Sequence, residues 1–178
     1  MTAEDQTAGG RGWLGLVGGG CDYQFNSSFV VGALADYDFM DLRGHFGELA
    51  GGLTGKEKES SAVAAGGRIG YLVTPQILAY INGGWSSTRF DGVTFDNTVG
   101  GTASGVTLPS HTFSGGFIGG GSEVAVQAVP NLYWRNEYRY ATYGAADLQL
   151  SGAGAVSVFT HESKNVQTIT TSLVWKFH

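Results

Sequence analysis

The sequence predicts an all-β fold, an antiparallel up-and-down transmembrane β-barrel of the eight-strand type with seven strands visible in this chain. Three observations predict it. Apolar and polar residues alternate with period two, not 3.6, along five segments, the pattern of two-faced strands, and two further strands, 77–90 and 112–126, are less cleanly two-faced. The connections between those segments alternate short and long without exception. Only 14% of the 178 residues are charged and 30 are Gly, where soluble domains average ~25% charged and ~7% Gly. That is too little charge for a surface that faces water.

The first strand, 13–25, sets Trp13, Val17, Cys21, Tyr23 and Phe25 on one face against Leu14, Leu16, Asp22 and Gln24 on the other. After a tight turn at Asn26-Ser27, strand 29–40 sets Phe29, Val31, Tyr37 and Phe39 against Asp36 and Asp38. A long polar loop, 41–60, holds Lys56-Glu57-Lys58-Glu59. Strand 62–73 sets Val63, Ile69, Tyr71 and Val73 against Arg68, and Thr74-Pro75-Gln76 turns into strand 77–90. A second long loop, 91–110, precedes strand 112–126, and Val129-Pro130-Asn131 turns the chain again. Strand 132–141 sets Leu132, Trp134, Tyr138 and Tyr140 against Tyr133, Arg135, Glu137 and Arg139. The third long loop, 144–164, leads to strand 165–177, with Ile169, Leu173, Trp175 and Phe177 against Lys176. Two of the three Pro sit in short turns, where a missing N–H costs the sheet nothing.

Several classes are excluded. A net charge of −5 disfavours a nucleic-acid partner. A single Cys, Cys21, excludes an internal disulfide and a Cys-based zinc cluster. Gly18-Gly19-Gly20 and Gly119-Gly120-Gly121 lack the Lys-Ser/Thr and the helix of a phosphate loop. Asp36-x-Asp38 offers two acids with no third ligand, so neither a metal nor any other cofactor is expected.

Long loops gathered at one end, short turns at the other and strands long enough for a tilted span of ~9–11 residues are the marks of a bacterial outer-membrane barrel. Nine charges fall within the strands, five acids (Asp22, Asp36, Asp38, Glu123, Glu137) and four bases (Arg68, Arg135, Arg139, Lys176). The balance suits pairing inside a barrel. An interior charge network of Asp36, Asp38, Arg68, Glu123, Arg135, Glu137 and Arg139 is therefore expected, with the aromatic face turned to lipid. Aromatic residues placed toward strand ends fit interfacial girdles.

The segments GLVGGGCDYQF (15–25), FVVGALADYDF (29–39), GGRIGYLV (66–73), LAYINGGW (78–85), GGGSEVAV (119–126), LYWRNEYRYATYG (132–144) and SLVWKF (172–177) together resemble the small outer-membrane β-barrel, porin-like or opacity-type, surface proteins of alphaproteobacteria. The resemblance implies roles in envelope integrity, surface antigenicity or weak porin behaviour. It implies outer-membrane lipid and lipopolysaccharide as surroundings. It also makes Trp175 and Phe177 the C-terminal signal for the outer-membrane assembly machinery. The family usually carries an acid where Leu34 stands and a Trp where Gly116-Phe117 stand. It also starts with a strand that this chain does not show. Residues 1–11 then read as the remnant of the first surface loop and residues 12–178 as the barrel domain, with a signal peptide and first strand expected upstream.

One arrangement hints at chemistry. His161-Glu162-Ser163, just before the last strand, has the His–Ser spacing of outer-membrane lipid A deacylases. A rim hydrolase is thus the alternative from another class, and a soluble lipocalin-like ligand barrel a third. The surroundings of His161 and Ser163 do not resemble the deacylases, so the favoured reading is a barrel that is not an enzyme.

Overall fold

A computed structural model describes the backbone of residues 10–49, 53–97, 103–108, 110–149 and 159–177, and side chains over 12–43, 59–92, 107, 110–144 and 165–177. These residues contain nine strands and no helix: β1 (Gly10–Gln24), β2 (Phe29–Leu49), β3 (Leu53–Thr74), β4 (Ile77–Phe90), β5 (Val93–Asn97), β6 (Ala103–Leu108), β7 (His111–Ala125), β8 (Leu132–Gln149) and β9 (Phe159–Trp175). Seven of them follow one another as antiparallel neighbours in the order β1-β2-β3-β4-β7-β8-β9. The short β5 pairs with β6 and with the start of β3. The sheet curls into an open half-barrel whose two edges, β1 and β9, are not joined.

The short turns hold themselves together. Asn26 Oδ1 accepts the backbone N–H groups of Ser28 (2.9 Å) and Phe29 (2.7 Å), an Asx turn that starts β2. Pro75-Gln76 joins β3 to β4. In the β7–β8 turn, Asn131 adopts φ 65°, a left-handed conformation that Asn tolerates. Its carbonyl accepts the N–H of Lys176 (2.9 Å), which ties down the end of β9.

The opposite end departs from the sequence reading. Much of what reads as long loop is strand. β2 and β3 pair through Arg43–Lys58, Gly44–Glu57 and His45–Lys56, and β8 and β9 pair out to Gln149–Phe159. A strand pair solvated on both faces needs no apolar face, so the alternation that marks the other strand segments vanishes there. β1 likewise begins at Gly10, ahead of the strand start read at residue 13, with Gly10 and Arg11 opposite Gly44 and Arg43. Residues 1–9 lie outside those described. Register shifts fall where strands leave the barrel wall, at Phe39/Leu42, Glu59/Ser61 and Tyr143/Ala146. Such bulges are common at barrel rims.

Large apolar side chains stand outside and ionised ones inside, where they share the interior with Val30, Leu78, Phe90 and Phe113. Val17, Val63, Ile69, Ile81, Ile118, Ile169 and Leu173 are exposed, while Glu59, Arg68, Asn82, Ser86, Thr88, Glu123 and Glu137 are buried. The alternation therefore puts the apolar face outside and the charged face inside. Near the short turns, Phe25 stacks on Phe29 (5.8 Å) and Phe29 meets Tyr71 edge-on (5.2 Å). Toward the other end, Tyr37 packs on Phe39 (4.7 Å). Tyr138, by contrast, sits mid-strand, its hydroxyl donating to Gln167 Oε1 (3.0 Å). Outward polar groups are similarly engaged elsewhere, as where Trp134 Nε1 donates to Thr171 (2.6 Å). Cys21 is exposed on the free β1 edge.

Two inward glycines show why so many are needed. Gly32 lies between Asp22 and Arg68 in the register, and a Cβ there would run into the Asp22 carboxylate. Gly121 lies between Tyr80 and Glu137, and a Cβ there would meet the Tyr80 hydroxyl at 2.8 Å. Each glycine clears the space that large polar side chains from neighbouring strands use to meet.

Candidate functional site

The interior is organised around two ion-pair clusters, one centred on a carboxylate and one on a guanidinium. The lower one, nearer the short turns, is built on Glu123 of β7, whose side chain is 0% exposed. Glu123 Oε1 accepts from Arg68 Nη1 (2.5 Å) of β3 and from Arg135 Nε (2.9 Å) and Nη2 (2.7 Å) of β8. Its other oxygen faces Lys176 Nζ at 2.8 Å, beyond the end of β9. Arg68 also grips Asp22 of β1, with Nε 2.8 Å from Oδ1 and Nη2 bonded to Oδ2. Lys176 comes within 3.7 Å of the same Asp22. One buried cluster thus joins β1, β3, β7, β8 and the tail of β9 across the interior. Sequence separations such as Arg68 to Glu123 show that only the curled sheet assembles it.

The upper cluster is built on Arg139 of β8. Its two terminal nitrogens hold Asp36 of β2 as a fork, at 2.8 and 2.9 Å, and Nη2 and Nε reach Glu137 Oε1 at 2.8 and 3.2 Å. Tyr80 donates to the other Glu137 oxygen at 2.7 Å. Phe117 points inward and lies under the Arg139 guanidinium, 4.4 Å from ring centre to Cζ. The apolar ring thus gains a charged partner. Higher still, Thr88 bonds Glu59, and Ser86 bonds Tyr143 at 2.9 Å.

The structure therefore brings together Asp36, Arg68, Glu123, Arg135, Glu137 and Arg139. It does not join Asp38 to them: that carboxylate shares the inward face of Asp36, but no ion pair holds it among the described residues. Asp22 and Lys176 belong to the core although sequence reasoning left them out of the network. Their inward parity was the available signal. Glu59 gave no such signal, because the shift at Glu59/Ser61 turns inward a residue that strict alternation sends outward. His161 and Ser163 lie inside β9 rather than before it, His161 opposite Asp147. Their side chains are outside those described. Trp175 and Phe177 are exposed on the outer face near the short-turn end.

A lone cut into the upper cluster has a direct expectation. Glu137→Ala leaves Tyr80 without its acceptor and Arg139 with Asp36 alone. The barrel should melt at lower temperature in detergent, followed by the loss of folded gel mobility on heating. An unchanged curve would show that the cluster is not holding strands together.

Such a core can hold strands in register, because each paired charge ties together side chains from different strands. No family model matches the chain. Two curated relatives do resemble it: the 31 kDa outer-membrane immunogenic proteins of Brucella melitensis biotype 1 and Brucella suis biovar 1. Each is 29% identical over 178 residues, which covers 97% of this chain and 69% of the relative. Added to a strand-only curled sheet with an apolar outside and a paired interior, this likeness supports an outer-membrane surface protein.

Proposed function

We propose that this chain forms most of a small eight-strand outer-membrane barrel with a structural and surface-interaction role and no chemistry of its own. One observation carries the reading: a fully buried carboxylate, Glu123, sits among three cations while Ile69, Ile81, Ile118 and Ile169 stand exposed. Lipid rewards that arrangement and water penalises it.

The eighth strand follows from the edges. Seven antiparallel strands leave β1 and β9 running in the same direction, so direct closure would need a parallel pair. One further strand antiparallel to both satisfies each edge. A cavity of about 880 Å3 opens between them and runs into the interior as far as Asp36, Arg68 and Leu78. Unpaired edge groups cost several kcal/mol each in hydrocarbon, which drives closure. Once closed, a barrel of this size is filled by its own side chains. The two ion-pair clusters across the bore oppose passage of solutes, which favours a structural role over a porin. In this reading Trp175 and Phe177 serve recognition by the assembly machinery, and the strand extensions at the far end carry what the relatives' name calls immunogenic.

The test is heat-modifiable mobility. Expressed with its natural flanking sequence in a Gram-negative cell, the protein should fractionate with the outer membrane. It should migrate as a compact species unheated and shift on boiling. Recovery from the soluble fraction with no shift would overturn the reading.

A further inference from the structure

Among the described residues, the outward face offers one charge to the bilayer that no neighbouring side chain neutralises. Arg89, the penultimate residue of β4, is exposed. No side-chain hydrogen bond or ion pair holds its guanidinium among the described residues, and none joins it to Asp91 just beyond the strand. The nearby outward cation Arg43 is by contrast taken up by Asp41, Nε to Oδ1 3.0 Å. At ~3.3 Å per residue and a tilt of ~40°, the run from Ile77 at the short-turn end to Arg89 climbs about 30 Å. The apolar band of such barrels is about 25 Å tall. Arg89 therefore stands just past the hydrocarbon, at the end where the strands project outward, at the depth of lipid head groups.

Its surroundings are hydroxyls. Thr112 of β7 is its register partner, and Ser114 pairs with Ser87 one step below, donating to the Ser87 hydroxyl at 3.2 Å while Ser87 donates to the Phe113 carbonyl at 3.2 Å, which leaves their oxygens to accept from a ligand. Trp85, half exposed on the same face, marks the start of the apolar band below them. A guanidinium above a ladder of hydroxyls matches a phosphate carried on a sugar better than one on a glycerol backbone. The cation takes the phosphate, and the hydroxyl oxygens accept hydrogen bonds from the sugar.

We propose that Arg89, Thr112, Ser87 and Ser114 form a docking site for the phosphorylated sugar of an outer-leaflet glycolipid, seated against Trp85. This rests on the reading that the apolar face meets lipid.

The experiment is native mass spectrometry of the full-length protein folded in detergent, titrated with bisphosphorylated lipid A, its phosphate-free form and phosphatidylglycerol. Wild type should retain bisphosphorylated lipid A. Arg89→Ala should weaken retention about tenfold, the worth of one charge-assisted contact, while Arg89→Lys keeps most of it. Heat-modifiable mobility read on the same samples separates the two levels. Equal retention by a normally heat-shifting Arg89→Ala, or by wild type for the phosphate-free or phosphatidylglycerol probe, overturns this site and leaves the barrel standing. A wild type that never heat-shifts overturns the membrane reading and the site with it.

Discussion

Glu123→Gln should be the most damaging conservative substitution in the barrel. The change keeps shape and removes charge, leaving Arg68, Arg135 and Lys176 gathered around a neutral amide. Breaking a buried ion pair from one side costs about 3–5 kcal/mol, because the partner's charge stays desolvated and uncompensated. Here three partners share the loss, although Arg68 keeps Asp22. Urea unfolding in detergent micelles, followed by tryptophan fluorescence, should show the midpoint fall well below that of Glu137→Ala. Adding Arg135→Met should recover part of the loss by removing one of the orphaned cations. If Glu123→Gln unfolds at the wild-type midpoint, water reaches the cluster and the packed-interior account is wrong.

Ile81→Arg tests the other face. Ile81 is exposed on β4 and lies about 10–13 Å from the short-turn end by strand rise and tilt. That is close to the middle of the apolar band, where an outward Arg costs about 2–4 kcal/mol. Folding into lipid vesicles should drop in yield and stability by that order. The same change in a water-soluble barrel would be harmless or would aid solubility. The paired control is Asn165→Arg, exposed at the far end of β9 and about 25 Å above Trp175 by the same rise and tilt, where the cost should fall to about 0–1 kcal/mol. Equal effects at the two depths would place this surface in a uniform medium and not in a bilayer.

Both expectations trace to a feature that is visible in one dimension. Side chains alternate across a strand whatever the strand pairs with, so the sorting of Ile69 from Arg68, or of Tyr138 from Arg139, survives every choice of register. The short turns were equally legible, because Asn26 and Pro75 act on backbone within a few residues. Where alternation lapses, legibility lapses too. The paired extensions of β2–β3 and β8–β9 are wetted on both sides and read as loops, and the shift at Glu59/Ser61 hides a buried acid in a run of charges.

The partners within the interior were not legible. Inward parity marks Asp22, Asp36, Asp38 and Lys176 alike, yet Asp22 and Lys176 join the lower cluster, Asp36 is held by Arg139, and Asp38 is left aside. Strand stagger and curvature decide which carboxylate meets which cation, and these depend on every neighbouring strand at once. The sequence by itself determined which side of each strand is apolar and faces outward, because that is a local property of the chain. Only the tertiary structure decided who neutralises whom inside, because an ion pair needs atoms within a few ångströms and that proximity comes from the curling of the sheet.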